Sequence, residues 1–316
     1  MDLATFGESM LRYSPPDNER IELADELEIR IAGAESNVAA CASRLGADAL
    51  WFSKLPDSPL GRKVVADLGA HGLPTDVVWS DEGRQGTYYI EQGGTPRGTN
   101  VVYDRRDAAV TTATFEELPT DRVAEASAFH TTGITPALSE TLAETTARLL
   151  AHAREHGTTT YFDVNYRSKL WGPAAARETV RELLPDVDVL VTAARDAETV
   201  LDRTGDPADV AADLAADWGF ETVVVTLGEE GALAHHQGSV HEQGAFPADT
   251  HDPIGTGDAF VGGFLARRLA GDSVPAALEY GAATAALKRT IPGDVAAVTP
   301  AEVEAVLDAD IEEISR

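Results

Sequence analysis

Cysteine and lysine are nearly absent from this 316-residue chain, and no apolar run reaches the length of a bilayer span. The single cysteine, Cys41, excludes an internal disulfide; set among alanines, it reads as a small buried hydrophobe rather than a nucleophile. A bilayer crossing needs about 20 consecutive apolar residues, and residues 1–7 lack the basic start of a signal peptide. We therefore expect a cytoplasmic protein without a membrane partner. Lysine occurs only at Lys54, Lys63, Lys169 and Lys288, so arginine supplies most of the 25 basic residues, against 53 acidic ones. The resulting formal charge of −28 repels nucleic acids and anionic membranes, and equally any polyanionic phosphate compound. A phosphate site in such a chain must overcome that field locally. Excess acid with scarce lysine also suits a halophilic protein in molar salt, where the Debye length is about 3 Å and self-repulsion is screened. An ordinary acidic cytosolic protein is the alternative.

What is present is an alternation of short apolar runs and helical patterns. Strands are expected over 3–6, 49–52, 128–132, 159–163, 187–192 and 222–226, and helices over 37–45, 139–156, 174–184 and 207–218. Continuous apolar strands separated by helices predict an α/β fold with a mostly parallel sheet flanked by helices. Two stretches, 10–31 and 85–104, carry no helical pattern and read as β-rich, so they predict a small appended β-sheet. Within the second, Gly93, Gly94, Pro96 and Gly98 mark the turn of a hairpin between 88–91 and 100–103. No repeat or flexible linker divides the chain, so 1–316 is read as one domain with this appendage. Residues 301–314 read as an acidic amphipathic helix with a solvated face. No His or carboxylate cluster has metal-ligand spacing, and no metal held by protein ligands is expected.

The most informative segment is Asp252-Pro253-Ile254-Gly255-Thr256-Gly257-Asp258-Ala259-Phe260. Phe260 and Phe264 stand four apart and Leu265 and Leu269 follow suit, so a helix starts within the Gly-Thr-Gly turn. Glycines let backbone amides converge with no Cβ in the way, and the helix N-terminus adds partial positive charge, which makes an anion hole. Asp258, in the first turn, has a carboxylate able to take the proton of an attacking hydroxyl. Taken alone, Gly-x-Gly-Asp is also an ordinary capped turn. The segment lacks a P-loop lysine and does not follow an N-terminal dinucleotide-binding strand, which disfavours a Walker-type ATPase and a Rossmann oxidoreductase.

This nonapeptide resembles the C-terminal signature of the PfkB, or ribokinase-like, carbohydrate kinases, with Thr256 in place of the usual small residue. An earlier block, Gly33-Ala34-Glu35-Ser36-Asn37 with Leu45-Gly46 downstream, is similar to the family's substrate segment. The resemblance implies a ribokinase-like fold whose small sheet is a lid, and ATP-dependent phosphorylation of a sugar. It assigns Asp258 as the base, with Gly255, Thr256 and Gly257 forming the phosphate loop. It also implies that Gly33 and Asn37 contact sugar hydroxyls, a helix cap being the plain alternative for Asn37. The turn carrying Thr226, Gly228 and Gly231 is similar to the ATP-binding turn, and 282–287 with Pro292-Gly293-Asp294 match the region that wraps adenine and closes the site, Asp294 on the substrate side. Mg2+ is implied as Mg-ATP, held by phosphates and water. Where the family commonly has Asn-x-x-Glu, this chain has Ala193-Ala194-Arg195-Asp196, so Asp196 keeps the acid while Ala193 cannot supply the amide.

The substrate is read from Phe162-Asp163-Val164-Asn165-Tyr166-Arg167-Ser168-Lys169-Leu170-Trp171, at a strand's C-terminal end. It is similar to a segment of 2-keto-3-deoxygluconate kinases and of many fructokinases. Asn165, Tyr166 and Arg167 then line the crevice, where the Arg167 fork suits a carboxylate or phosphate. Its plain alternative is a surface salt bridge. On the hairpin, Tyr89 and Tyr103-Asp104-Arg105 resemble the lid of 2-keto-3-deoxygluconate kinases. Tyr103 and Arg105 share one strand face, while Tyr88 alternates away from Tyr89 and is assigned to packing.

Three readings fit these residues. The first is a kinase placing a 6-phosphate on 2-keto-3-deoxygluconate or its galacto epimer. The second is a kinase of a neutral sugar such as fructose or ribose, which needs no such cations. The third is a non-catalytic nucleotide- or sugar-binding regulator, against which an intact Asp258 argues. Open edges on a small sheet further predict a homo-oligomer built on a dimer.

Overall fold

A computed structural model describes residues 1–308 of the chain. In chain order its strands are β1 (Leu3–Phe6), β2 (Met10–Ser14), β3 (Glu28–Ala32), β4 (Ala49–Pro56), β5 (Thr75–Ser80), β6 (Thr87–Glu91), β7 (Asn100–Asp104), β8 (Ala128–Thr132), β9 (Thr159–Asp163), β10 (Val189–Ala193), β11 (Thr222–Thr226), β12 (Ala232–His236) and β13 (Ser239–Gln243). The helices are α1 (Ala34–Arg44), α2 (Pro59–Ala70), α3 (Asp121–Ala124), α4 (Glu140–Glu155), α5 (Pro173–Leu183), α6 (Ala194–Leu201), α7 (Pro207–Trp218), α8 (Thr256–Leu269), α9 (Val274–Arg289) and α10 (Pro300–Leu307).

The central strands are apolar along their whole length because both faces are covered, as parallel sheets require. The large sheet runs β13-β12-β11-β10-β9-β8-β1-β4-β5, parallel except where β12 and β13 turn back. Alternate side chains feed two cores. Phe6, Phe52, Phe129 and Phe162 face α4 to α7, and the Phe6 and Phe52 rings stack at 5.2 Å. Leu3, Trp51 and Tyr161 on the other face meet Val38 of α1 and Phe260 and Phe264 of α8. Each fully buried ring contributes roughly 1.5–3 kcal/mol by leaving water. With β1 and β8 to β11 parallel, the loops after their C-terminal ends gather on one side, where ligands bind in open α/β sheets.

The stretches 10–31 and 85–104 form a second sheet, ordered β3-β2-β6-β7, with β2 and β6 parallel and the outer pairs antiparallel. Its register fixes two opposite rows. Arg30, Arg12, Tyr88 and Tyr103 are cross-strand neighbours on one face, and Ile29, Tyr13, Tyr89 and Val102 on the other.

Several boundaries differ from expectation. Helix α1 begins at Ala34 rather than 37: Gly33 is its extended N-cap, and the Asn37 amide already donates to the Gly33 carbonyl at 2.7 Å. Asn37 is therefore inside the first turn and is not a cap. Strand β10 starts two residues later than expected because Leu184–Asp186 form a 3-10 turn that ends α5. Edge strand β5, half-buried with mixed polarity, gave too weak an apolar run to be expected. Helix α10 covers part of the expected 301–314 helix, whose last six positions, 309–314, lie outside the described residues.

Candidate functional site

The site is built around the start of α8. Gly255 caps this helix at φ +81°, and a Cβ there would lie 2.0 Å from the Asp294 carbonyl oxygen, so only glycine fits. The first turn after it leaves backbone amides without helical partners and carries the positive end of the dipole. Asp258 is the third residue of that turn. Its Oδ2 accepts from Asn37 Nδ2 at 2.7 Å, which ties the carboxylate to α1. Glu35 fixes α1 in turn: buried, it accepts from the Thr132 amide at 3.1 Å and from the Thr132 and Thr135 hydroxyls at 2.7 Å, and burial pushes its carboxyl up to about 7.

Asp258 opens onto a cavity of about 470 Å³ between the large-sheet strand ends and the small sheet. Burial pushes the Asp258 carboxyl up to about 6; the Asn37 hydrogen bond and Arg167 pull it down, and Asp294 raises it. At neutral pH it is mostly ionised and able to accept a proton. Asp163, at the end of β9, is pushed higher, to about 8, by burial and then by the charges of Asp258 and Asp196. Asn165, in the left-handed region at φ +37°, donates its amide to Asp163 Oδ1 at 3.1 Å. Asp196 accepts from the Tyr166 amide at 3.2 Å, and burial raises its pKa also.

Most of the residues expected at a site meet here. Gly33 and Asn37 line the cavity from α1 and its cap, and Gly255, Thr256, Gly257 and Asp258 from α8. Asn165, Arg167, Asp196 and Thr226 line it from the strand ends, and Tyr103, Arg105 and Asp294 from the side of the small sheet. Arg105 is paired with Glu8 and lies 5.3 Å from the Tyr103 ring centroid. Arg167 has no carboxylate within ion-pairing distance among the described residues.

Four expected residues do not line the cavity. Tyr89 points to the opposite face of the small sheet and stacks on Tyr13 at 5.3 Å. Its place is taken by Tyr88, whose cross-strand partner is Tyr103 and whose hydroxyl donates to Asp294 Oδ2 at 2.8 Å. The expectation had the two tyrosines reversed, because alternation says that neighbours differ in face but not which face is inward. Tyr166 turns its hydroxyl to the Trp171 carbonyl at 3.1 Å and packs against the core. Gly228 and Gly231 shape the turn beyond Thr226; at Gly231, φ +104°, a Cβ would strike the Gln243 carbonyl. Sequence reasoning missed Glu8, Arg195 and a role for Asp163, all on the cavity wall. Asp163 closes the apolar run of β9, and an acid at a strand's C-terminal end is the signal that points to it. Ala193 ends β10 at the cavity wall and supplies no amide there. Among the described residues, no group of three or more His, Cys, Asp or Glu side chains is placed to hold a metal ion.

A dipole-backed glycine loop, an ionisable acid beside it and a cavity of mixed polar and apolar lining roofed by a second sheet define an enzyme acting on small hydroxylated molecules by group transfer. The chain belongs to the pfkB family carbohydrate kinases, whose family model matches residues 1–301. It is 63% identical over 306 residues, 97% of this chain and 96% of the relative, to a 2-dehydro-3-deoxygalactonokinase of Haloferax volcanii. Among solved structures it is similar to a 2-dehydro-3-deoxygluconokinase of Thermotoga maritima, at 33% identity and a TM-score of 0.93 over 98% of each chain. At 19% identity the fold is shared, with a TM-score of 0.88 over 98% of this chain and 99% of the other, with an Escherichia coli putative ribokinase II solved in complex with ATP and Mg2+.

Proposed function

We propose that the protein transfers the γ-phosphoryl group of ATP to the terminal hydroxyl of a 2-keto-3-deoxy sugar acid, giving the 6-phosphate. The observation that carries this reading is Asp258 in the first turn of α8, opening onto the same cavity as the cations Arg105 and Arg167. In the proposed step the substrate hydroxyl oxygen bonds to the γ-phosphorus, the bond to the β-phosphate oxygen breaks, Asp258 takes the hydroxyl proton and ADP leaves. The amides of the Gly255–Asp258 turn hold the transferring phosphoryl, and the space beside Gly257, where a Cβ would meet no protein atom, leaves room for it. When bound, Mg2+ would neutralise charge on the phosphates, and Asp196 on the cavity wall would be a partner for its water shell. Between epimers, the 63% identity to a 2-dehydro-3-deoxygalactonokinase favours the galacto form, "2-dehydro" and "2-keto" being the same group.

One observation favours a neutral sugar instead: Glu8 already pairs with Arg105, which leaves that cation partly satisfied. Measured ADP release across sugar acids and neutral sugars decides between them. The regulator reading finds no support in a cavity with its acid and glycine loop intact.

We assign the small sheet the role of a lid and its outer row that of a dimer contact. Ile29 and Val102 are 41% and 51% exposed there, beside the stacked Tyr13 and Tyr89. Such an apolar row on a solvent face suits a twin surface. Light scattering is expected to give a dimer that Val102→Asp converts to monomer; a monomeric wild type counts against the contact. The charge of −28 supports adaptation to a salt-rich cytoplasm. Melting temperature and turnover are expected to rise from dilute buffer to molar KCl, and an optimum of both in dilute buffer rejects this.

A further inference from the structure

Arg12 lies on β2 and is 2% exposed, yet it does not line the cavity. Its guanidinium instead reaches two acids far along the chain. Nη1 donates to Asp294 Oδ1 at 2.6 Å and Nη2 to Asp252 Oδ2 at 2.9 Å. Both acids hold further donors. Asp294 Oδ2 takes the Tyr88 hydroxyl, and Asp252 Oδ1 takes Gln92 Nε2 at 2.7 Å and the Ile254 amide at 3.1 Å. The Gly293 amide donates to Asp252 Oδ2 at 2.9 Å, and the fully buried Lys288 ammonium donates to the Asp252 and Ile291 carbonyls at 3.1 Å.

Three donors from the small sheet and its edge, Arg12, Tyr88 and Gln92, thus converge on Asp252 and Asp294. Those two acids bracket the glycine loop: Asp252 starts the segment leading into it, and Gly255 is packed under the Asp294 carbonyl. Buried charges are tolerated when paired and hydrogen-bonded, and removing one partner strands the other. The loop cannot shift without disturbing this network, and the sheet cannot lift without breaking it.

We propose that Arg12 is a positioning residue that locks the Gly255–Asp258 loop to the small sheet, so that the loop is aligned for phosphoryl transfer only while the sheet is seated. The inference rests on the kinase reading above. Arg12 acts through the loop, which is why its removal should slow turnover more than it weakens sugar binding.

The test compares full-length wild type with Arg12→Met, Arg12→Lys and Gln92→Leu, by kcat, KM for the sugar acid and amide hydrogen exchange. Misalignment of a phosphate loop predicts a fall in kcat of about 10- to 100-fold in Arg12→Met, with the sugar KM within about threefold. Exchange at the 254–258 amides should quicken while that of β8 and β9 stays at the wild-type rate. Arg12→Lys keeps a charge and should recover part of kcat, and Gln92→Leu should show the same split in smaller measure. If Arg12→Met does not fold, the other two variants decide by the same criteria. Unchanged kcat in the folded Arg12 variants, a KM rise in step with the kcat loss, or loop exchange at the wild-type rate overturns the proposal. A wild type without sugar-kinase turnover removes the kinase reading instead, and loop exchange still reports whether Arg12 holds the loop.

Discussion

Asp258→Asn is expected to lower kcat by about 10²- to 10⁴-fold, the usual weight of a general base, while sugar and nucleotide binding stay within a few-fold of wild type. Asparagine keeps the size of the side chain and can still meet Asn37 by turning its amide, so the helix start and the cavity keep their shape. What is lost is an acceptor basic enough to take the hydroxyl proton. The same group is expected to set the acid limb of the pH profile. Burial holds Asp258 at about 6, well above an ordinary aspartate. Below that pH the base is protonated and cannot act, so kcat/KM for the free enzyme should fall about tenfold per unit below pH 6 and level off above it. Arg167 lowers this pKa, and Arg167→Met should therefore move the limb to higher pH. An Asp258→Asn enzyme with near-normal turnover would falsify the assignment of the base.

Arg105→Ala should cost sugar acids about one to two orders of magnitude in kcat/KM, since a charge-assisted contact is worth about 1.5–3 kcal/mol and each decade is about 1.4 kcal/mol. Fructose, if accepted, should lose little. Glu8 sharpens the expectation: without Arg105 its carboxylate is left buried and unpaired at the cavity wall, where it repels an acidic substrate. Glu8→Gln should act in the opposite sense, freeing Arg105 and lowering KM for the sugar acid. Steady-state kinetics on both substrate classes check this pair, and equal losses for sugar acid and fructose in Arg105→Ala would contradict it.

The parallel sheet was readable because its strands are short apolar runs buried on both faces, and β1, β8, β9 and β11 have the bounds that their sequences suggest. The start of α8 was readable because glycine spacing and the Phe260 to Phe264 interval are local. The inward tyrosine was not. Which of Tyr88 and Tyr89 faces the cavity depends on pairing Tyr88 with Tyr103 and Arg12, and a slip of one residue would exchange the faces. Nor did the sequence reveal the Arg12 contacts, which join residues 240 and 282 positions apart through folding alone. Glu8 was hidden for a similar reason: its partner Arg105 is 97 residues away.

The central claim is tested most directly by coupled ADP release from Mg-ATP at saturating salt, with 2-keto-3-deoxygalactonate, 2-keto-3-deoxygluconate, fructose and ribose compared at equal concentration. The account predicts kcat/KM highest for the sugar acids, with the galacto epimer at least equal to the gluco, and formation of the 6-phosphate. A preference for fructose or ribose, or no ADP release with any sugar acid, would contradict it.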